Sequence, residues 1–243
     1  MKGIILSAGV GSRLLPLTEN LPKCLVEVDG RAILDHQLDA LCAAGITEVV
    51  IVGGYRFPQI AEHIARSRPP LAIDLVFNPF WSVASSIGSV WMARDHLDAP
   101  FCLMNGDTVF DASVVERAIG HGGPGLGLLV EPLRDPQLDD MLAIVTDGLI
   151  EAVAKDLPVE KATHRSLGVI LSFSADGAYR DALEQVIAAP GGLNAYHHAI
   201  IARLAATYGV SAVVNDAGAW QEIDRPEDIS GWTRDHHRIA DGE

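Results

Sequence analysis

Residues 1–30 read MKGIILSAGVGSRLLPLTENLPKCLVEVDG. An apolar run from Gly3 to Leu6 ends at a turn of small residues, Ser7-Ala8-Gly9-Val10-Gly11-Ser12, and Arg13 follows at once. Lys23 stands ten residues further on, behind Pro22. Small residues after a buried strand let backbone N–H groups approach an anion closely. An Arg and a Lys then supply the positive charge that a triphosphate needs. The stretch reads as a phosphate cradle at the carboxyl end of a first strand, where ligands bind in open α/β sheets. It is not a P-loop, because G-x-x-x-x-G-K-[ST] is absent. The dinucleotide fingerprint fails as well: Gly9 and Gly11 fit, but Leu14 occupies the place of the third glycine. Pro16 and Pro22 break the stretch that follows, so the loop is long and carries its own functional groups. A glycine-rich turn with no ligand is the plain alternative.

Outward from this loop the chain alternates strand and helix. The pattern predicts a strand over 4–6, a helix over 32–44 ending at Gly45, a strand over 48–52, a helix over 57–66, a strand over 73–77, a helix over 86–94 and a strand over 101–104. Such βα units imply a mostly parallel sheet covered on both faces. The second half changes character. Strands are expected over 126–131, 141–146, 149–154 and 167–173, with Asp147-Gly148 as a hairpin turn. Helices over 175–188 and 195–206 and a last strand over 210–214 complete the reading.

With 243 residues, 49% of them hydrophobic and 21% charged, the chain is long enough to bury a large core. A net charge of −14 argues against nucleic acid as a partner. It leaves a nucleotide substrate open, since local charge and bound cations decide that contact and the global field is screened within about 10 Å. No run is long and apolar enough for a membrane span, and MKGIILSAG lacks a signal-peptide layout, so a cytoplasmic location without membrane partners is expected. Cys24, Cys42 and Cys102 have no metal-ligand spacing and read as buried thiols. The end of the chain, TRDHHRIADGE, reads as a polar tail with His236 and His237 in solvent.

The segment LSAGVGSRLLPLTENLPKCLVEVDG resembles the signature of nucleotidyltransferases that join an NTP to a phosphorylated small molecule: G-x-[GS]-[ST]-R-L-x-P-L-T, then P-K, then a short strand. The resemblance implies an α/β, Rossmann-like fold of the nucleotide-diphospho-sugar transferase type, with a small β-rich acceptor-binding part. One domain is expected over 1–230, with 1–125 mainly binding the NTP and 126–230 mainly the acceptor; 231–243 is the tail. The expected nucleotide-binding set is Leu6, Ala8, Gly9, Gly11, Ser12, Arg13, Lys23, Ser85, Ser86, Asn105 and Gly106. By resemblance, Arg13 holds the NTP phosphates and the leaving pyrophosphate, and Lys23 stands near the α-phosphate, where charge develops.

Nucleotidyl transfer also needs a divalent cation, normally Mg²⁺, held by one or two carboxylates. Asn105-Gly106-Asp107 matches the family's N-G-D, which makes Asp107 a metal ligand; taken alone it could be a turn aspartate. Trp220-Gln221-Glu222-Ile223-Asp224 resembles W-x-[ED]-[IV]-D, which makes Asp224 the second ligand; its rival role is helix N-cap. Glu222 and Asp228 are expected to face solvent or to cap. Lys155 follows an apolar run where the family often has a lysine that meets the acceptor's phosphate, although A-K-D-L departs from the E-K-P of sugar-nucleotide enzymes; a surface lysine is the alternative.

Substrate class rests on residues 78–94, NPFWSVASSIGSVWMAR. They resemble the N-x-x-[YW]…N-x-x-S-L…A-R segment of small cytidylyltransferases acting on phosphocholine, inositol 1-phosphate or aminoethylphosphonate, with Ser85-Ser86 replacing the Asn-Asn of the phosphocholine type. Trp81, Tyr196 and Trp220 are candidate walls of the acceptor site, each also explicable as packing. The expectation is a CTP-using transferase in which a phosphate or phosphonate acceptor attacks in line. The rivals are a sugar-1-phosphate enzyme using UTP, dTTP or GTP, and a non-catalytic nucleotide-binding module. The sequence leaves homo-oligomerisation open.

Overall fold

The computed structural model describes residues 1–121 and 123–241, with side chains described as far as residue 233. The first half comprises β1 (Lys2–Ser7), a small hairpin of β2 (Glu27–Val28) and β3 (Arg31–Ala32), α1 (Ile33–Ala43), β4 (Glu48–Gly53), α2 (Phe57–Ser67), β5 (Ala72–Phe77), α3 (Ser86–Met92), β6 (Phe101–Asn105), β7 (Thr108–Phe110) and α4 (Ala112–His121). The second half adds β8 (Leu126–Pro132), β9 (Leu142–Thr146), β10 (Leu149–Ala154), β11 (His164–Ser172), α5 (Ala178–Ala188), α6 (His198–Thr207), β12 (Ser211–Val214), β13 (Trp220–Glu222) and α7 (Pro226–Asp241).

Nine strands form one sheet in the order β5-β4-β1-β6-β11-β8-β12-β10-β9. β5, β4, β1 and β6 are parallel neighbours, while β11 pairs antiparallel with both β6 and β8. The alternation of side chains along β1 explains the two-sided core. Ile4 and Leu6 join the cluster under α3, α5 and α6, built with Ile87, Leu183 and Ile200. Ile5 faces the other way, toward Leu38 of α1, Ile60 of α2 and Val115 of α4. Chain order reverses between β1 and β6, so the loops leaving their carboxyl ends open side by side into one crevice.

The expected hairpin at Asp147-Gly148 forms, with both residues at positive φ (51° and 77°) as a tight two-residue turn requires. Other expectations are corrected. The strand over 210–214 is not the last: β13 follows and pairs antiparallel with β7, and neither was expected because each spans only three residues, too few for a periodic signal. The helix read over 86–94 stops at Met92, before a 3-10 turn over Arg94–His96. The helices expected from 175 and 195 begin later, at Ala178 and His198, after glycine-led turns at Gly177 and Gly191. β11 begins at His164, three residues before the expected strand. Cys24 and Cys102 are buried, their thiols pushed up to about 12 by burial, but Cys42 is only half-buried. The polar tail expected from 231 is part of α7, and Trp232 is buried against Leu14, Val109 and Ile223. His236 and His237 lie outside the described side chains. No helix among the described residues is long and apolar enough to cross a membrane.

Candidate active site

The loop after β1 is held from three sides. Gly11 lies in the left-handed region at φ +69°, and a Cβ there would come within 2.9 Å of Lys23 Cβ, so glycine is required both by backbone and by space. Thr18 Oγ1 donates to the Gly11 carbonyl at 2.8 Å. Tyr55 Oη and the Arg56 guanidinium donate to the Glu19 carbonyl at 2.7 and 2.8 Å, closing the far end of the loop. Within the 3-10 turn over Ser12–Leu14, Leu14 is fully buried beside Val109 and Ile223. This anchor swings Arg13 outward, where its guanidinium pairs with Asp139 and with Asp224.

The acids arrive on the β6–β7 turn and on the stretch after β13. Gly106 N donates to the Leu6 carbonyl at 3.0 Å, and a Cβ on Gly106 would meet Ser7 Oγ at 2.4 Å, so the turn can lie against the cradle only with glycine there. Gln37 of α1, fully buried, donates from Nε2 to the Asn105 and Thr108 carbonyls at 2.5 and 2.9 Å and fixes the turn from beneath. The register of β13 on β7 sets Glu222 opposite Thr108, and Ile223 N donates to the Asp107 carbonyl at 2.9 Å. Acids separated by 115 and 117 positions in the chain thus converge. One carboxylate oxygen each from Asp107, Glu222 and Asp224 lies within 4.8 Å of the others.

Lys23 binds this cluster: its Nζ is 2.9 Å from Asp107 Oδ2 and 2.5 Å from Asp224 Oδ1. Burial works against the ammonium, but the Asp107 and Asp224 charges outweigh it and hold the Lys23 pKa above its ordinary value. Burial likewise works against the Asp107 carboxylate, and Lys23 overcomes it, so Asp107 titrates below the usual range. Among the described residues no cation forms an ion pair with Glu222. Withdrawal from water, then repulsion from Asp107 and Asp224, pushes it up to about 8. The expectation that Glu222 faces solvent or caps is therefore corrected: it keeps an exposed surface but belongs to the acid cluster. Asp228 does cap. Its Oδ2 accepts from the backbone N–H of Asp224 and Arg225 at 2.8 and 2.7 Å, reaching back across the first turn of α7. That leaves the Asp224 side chain free for Lys23 and Arg13, and not employed as an N-cap.

Beside the cluster opens a cavity of about 340 Å³, within the range of roughly 300–1,000 Å³ usual for small-molecule sites. Leu6, Ala8, Gly9, Arg13, Lys23, Ser85, Ser86, Asn105, Gly106 and Asp107 line it, and so do Lys155, Trp81, Tyr196 and Trp220. Gly11, Ser12 and Asp224 do not line it; they act from behind, through the loop backbone and through Lys23. Lys155 Nζ sits 4.9 Å from the Tyr196 ring centre. Trp220 is braced, with its indole N–H on Glu131 Oε2 at 2.7 Å and the Arg165 guanidinium 5.0 Å over its ring. Trp81 packs against Tyr55 at 5.5 Å between ring centres. Sequence reasoning missed Gln37, Asn78, Asp139, His197 and His198, all but Gln37 on the cavity wall.

A mixed sheet whose parallel half carries a basic loop after its first strand, facing carboxylates after its fourth across a topological switch point, defines an α/β protein of the nucleotide-diphospho-sugar transferase type. The profile of the nucleotidyl transferase family matches residues 2–216, and the chain belongs to that family. It is 30% identical over 236 residues to the CMP-5'-(3-aminopropyl)phosphonate synthase of Streptomyces rubellomurinus, covering 94% of this chain and 37% of that protein. It is 31% identical over 158 residues to the mannose-1-phosphate guanyltransferase of Saccharomyces cerevisiae, 58% of this chain and 44% of that one. The chain thus spans less than half the length of either relative. Among solved structures, the inositol-1-phosphate CTP transferase from T. maritima superposes with a TM-score of 0.82 at 18% identity, over 99% of this chain and 96% of that one. The CTP:phosphocholine cytidylyltransferase from Streptococcus pneumoniae gives 0.78 at 20% identity, over 97% and 98%.

Proposed function

We propose that this chain is a divalent-cation-dependent cytidylyltransferase acting on a small phosphorylated alcohol or phosphonate, of the phosphocholine, inositol 1-phosphate or aminoethylphosphonate kind. The observation that carries the proposal is the convergence of Arg13 and Lys23 with Asp107, Glu222 and Asp224 at the edge of one cavity. A plain nucleotide binder needs the cations of the loop but not the clustered acids. The 30% identity to a CMP-phosphonate synthase along 94% of this chain, together with the segment over 78–94, supports CTP as the donor.

In this reading the first half, 1–125, holds the NTP and 126–230 the acceptor. Backbone N–H groups of Ala8 to Ser12 and the Arg13 guanidinium take the β- and γ-phosphates. Lys23 lies beside the α-phosphate and stabilises the charge that grows there during transfer. An oxygen of the acceptor's phosphate, steered by Lys155, attacks the α-phosphorus; the bond from that phosphorus to the bridging oxygen breaks, and pyrophosphate leaves. The acid cluster fits a hard divalent cation, because oxygen ligands within 4.8 Å of one another include a Glu222 carboxylate that burial and repulsion from Asp107 and Asp224 disfavour, a cost a cation would relieve. Asp107, Asp224 and Glu222 would hold Mg²⁺, which when bound offsets phosphate charge. Arg13 is poised to exchange Asp139 and Asp224 for phosphate oxygens.

The specific rival is a sugar-1-phosphate transferase, favoured by the guanyltransferase likeness over 58% of the chain. Pyrophosphate release, measured for four NTPs against a panel of small phosphates and phosphonates, tests both. CTP is expected to give the highest turnover, and Asp107→Asn to abolish it. Higher turnover with UTP, dTTP or GTP and hexose 1-phosphates would transfer the assignment to the rival. Nucleotide binding with no pyrophosphate from any pair would leave only a binding module.

A further inference from the structure

A small core, separate from the two that cover the faces of the main sheet, holds Leu14, Val26, Val28, Val109, Ile223 and Trp232. Its members are the chain neighbours of the charged groups. Leu14 follows Arg13, Ile223 stands between Glu222 and Asp224, Val109 lies two residues beyond Asp107, and Val26 three beyond Lys23. Leu14, Val109 and Ile223 are fully buried, and Trp232 is 4% exposed. A close-packed core has one arrangement and passes on any strain. A shift of this one is therefore carried, within a few bonds, to both cations of the cradle and to all three acids.

Trp232 is supplied by α7, and so is Ile229, which packs beside it partly buried. Asp228 stands one turn before Trp232, and positions four apart share a helix face. The Asp228 carboxylate accepts from the backbone N–H of Asp224 at 2.8 Å. The helix thus holds the stretch after β13 twice, at the Asp224 backbone through Asp228 and at Ile223 through Trp232. The hold extends to the Asp107 turn, because Ile223 N donates to the Asp107 carbonyl at 2.9 Å. It extends to Arg13 through Leu14. Such support is needed, since three carboxyl groups within 4.8 Å of one another repel.

We propose that Trp232 is a positioning residue: packed behind the site, it keeps Arg13 and the acids Asp107, Glu222 and Asp224 at the separation that a divalent cation and the phosphates of a nucleotide require. Trp232 lies outside the cavity wall and touches no ligand. The proposal rests on the reading that the acid cluster holds a cation. Coupling between sites is reciprocal, so a cation and nucleotide that draw the charged groups together also tighten α7 on its core.

The test reads cation binding and not turnover. Mn²⁺ is titrated into the native chain and the free-ion EPR signal is followed. Trp232→Ala is expected to weaken Mn²⁺ binding about tenfold, the usual cost of losing support behind a metal ligand. Trp232→Phe, which keeps a ring in the core, should restore it to within about threefold. Leu183→Ala, in the fully buried core under α5, is the control; it should lower Tm by cavity formation and leave Mn²⁺ affinity unchanged. In the native chain, amide exchange over 226–233 should slow when Mn²⁺ and CTP are added. Unaltered Mn²⁺ affinity in Trp232→Ala overturns the proposal. An equal loss in Leu183→Ala at the same fall in Tm also overturns it, since the effect would then be general destabilisation. Should Trp232→Ala fail to fold, Ile229→Ala and the native exchange data decide, and exchange over 226–233 that ignores Mn²⁺ and CTP overturns the proposal. A native chain that binds no Mn²⁺ removes the proposal together with the cation reading, while pyrophosphate release from any pair would leave the transferase reading standing. Mn²⁺ binding weakened in Trp232→Ala, with no pyrophosphate from any pair, would uphold the positioning role and remove the transferase reading.

Discussion

Lys23→Met probes the electrostatic centre of the site. Lys23 Nζ is the shared cation between Asp107 and Asp224, at 2.9 and 2.5 Å, and its side chain is only 12% exposed. Methionine keeps the length and most of the packing but removes the charge. Breaking a buried pair from one side costs about 3–5 kcal/mol, because the abandoned carboxylates stay in the protein. Asp107 and Asp224 retain 24% and 13% side-chain exposure, and Arg13 still touches Asp224, so about 2–3 kcal/mol is expected after solvent screening. In a chain of 243 residues, that is a fall in Tm of about 5–10 °C. The pH window follows from the direction of the shifts. Asp107 is held below its ordinary 3.8 and Lys23 above its ordinary 10.5, so the pair stabilises the native fold between these values. That contribution is lost as pH falls through the depressed carboxylate pKa or rises through the raised ammonium pKa. The deficit of Lys23→Met should therefore be full at pH 7.5 and shrink toward pH 4, where the orphaned carboxylates take up protons. Urea unfolding at both values measures it. Added Mn²⁺ or Mg²⁺ should recover more stability in the variant than in the native chain, since the three acids have lost their competing cation. Equal stability of variant and native protein at pH 7.5, or a deficit that does not narrow at pH 4, would refute the electrostatic account.

Two further perturbations separate stability from function. Glu222, pushed up to about 8 from an ordinary 4.5, contributes stability that is fully present below about pH 4.5 and is lost as pH rises through about 8; Glu222→Gln should flatten this limb of the urea-midpoint profile while weakening Mn²⁺ binding, and an unchanged profile would show that the acid cluster does not repel. Gln37→Leu strips the donors from the Asn105 and Thr108 carbonyls, which should cost about 1–3 kcal/mol per unsatisfied group by urea unfolding and reduce kcat by loosening the Asp107 turn, with the KM for CTP changed less than kcat.

The two ends of the candidate site differ in how they could be read from the chain. The cradle is continuous: Ser7 to Lys23 carries its small residues, its arginine and its lysine within one loop, and the reason for each is local. Asp107 was visible through the likeness of Asn105-Gly106-Asp107 to the family's N-G-D, behind a buried strand that ends at Asn105. Glu222 was not. Its place depends on a three-residue strand whose partner is equally short, and no periodicity exists in three residues. The alternation that could have exposed it is present only in hindsight of the pairing, with Trp220 and Glu222 on the cavity side and Ile223 buried between the acids. Gln37 left a clearer trace. It interrupts the apolar stripe Ile33, Leu34, Leu38, Leu41 at a position one turn from each end, and a polar residue in a buried stripe must find partners.

The end of the cavity around the start of α6 was hardest to read because its polar groups come from residues that are unremarkable in sequence. His197 and His198 stand in Ala195-Tyr196-His197-His198-Ala199, a context that satisfies no metal or nucleophile pattern. They gain meaning from Ser86, 111 positions earlier, and from Ser166, 32 positions earlier, each already occupied by a backbone N–H. The same logic separates the two halves of the site in kind. At the loop end, the acids are neutralised by Lys23 and Arg13, pairs that in the proposed reading are exchanged for a nucleotide and a cation. At the α6 end the two imidazoles are buried and neutral, each tied to one serine, so that end is set by packing and hydrogen bonding and the loop end by charge.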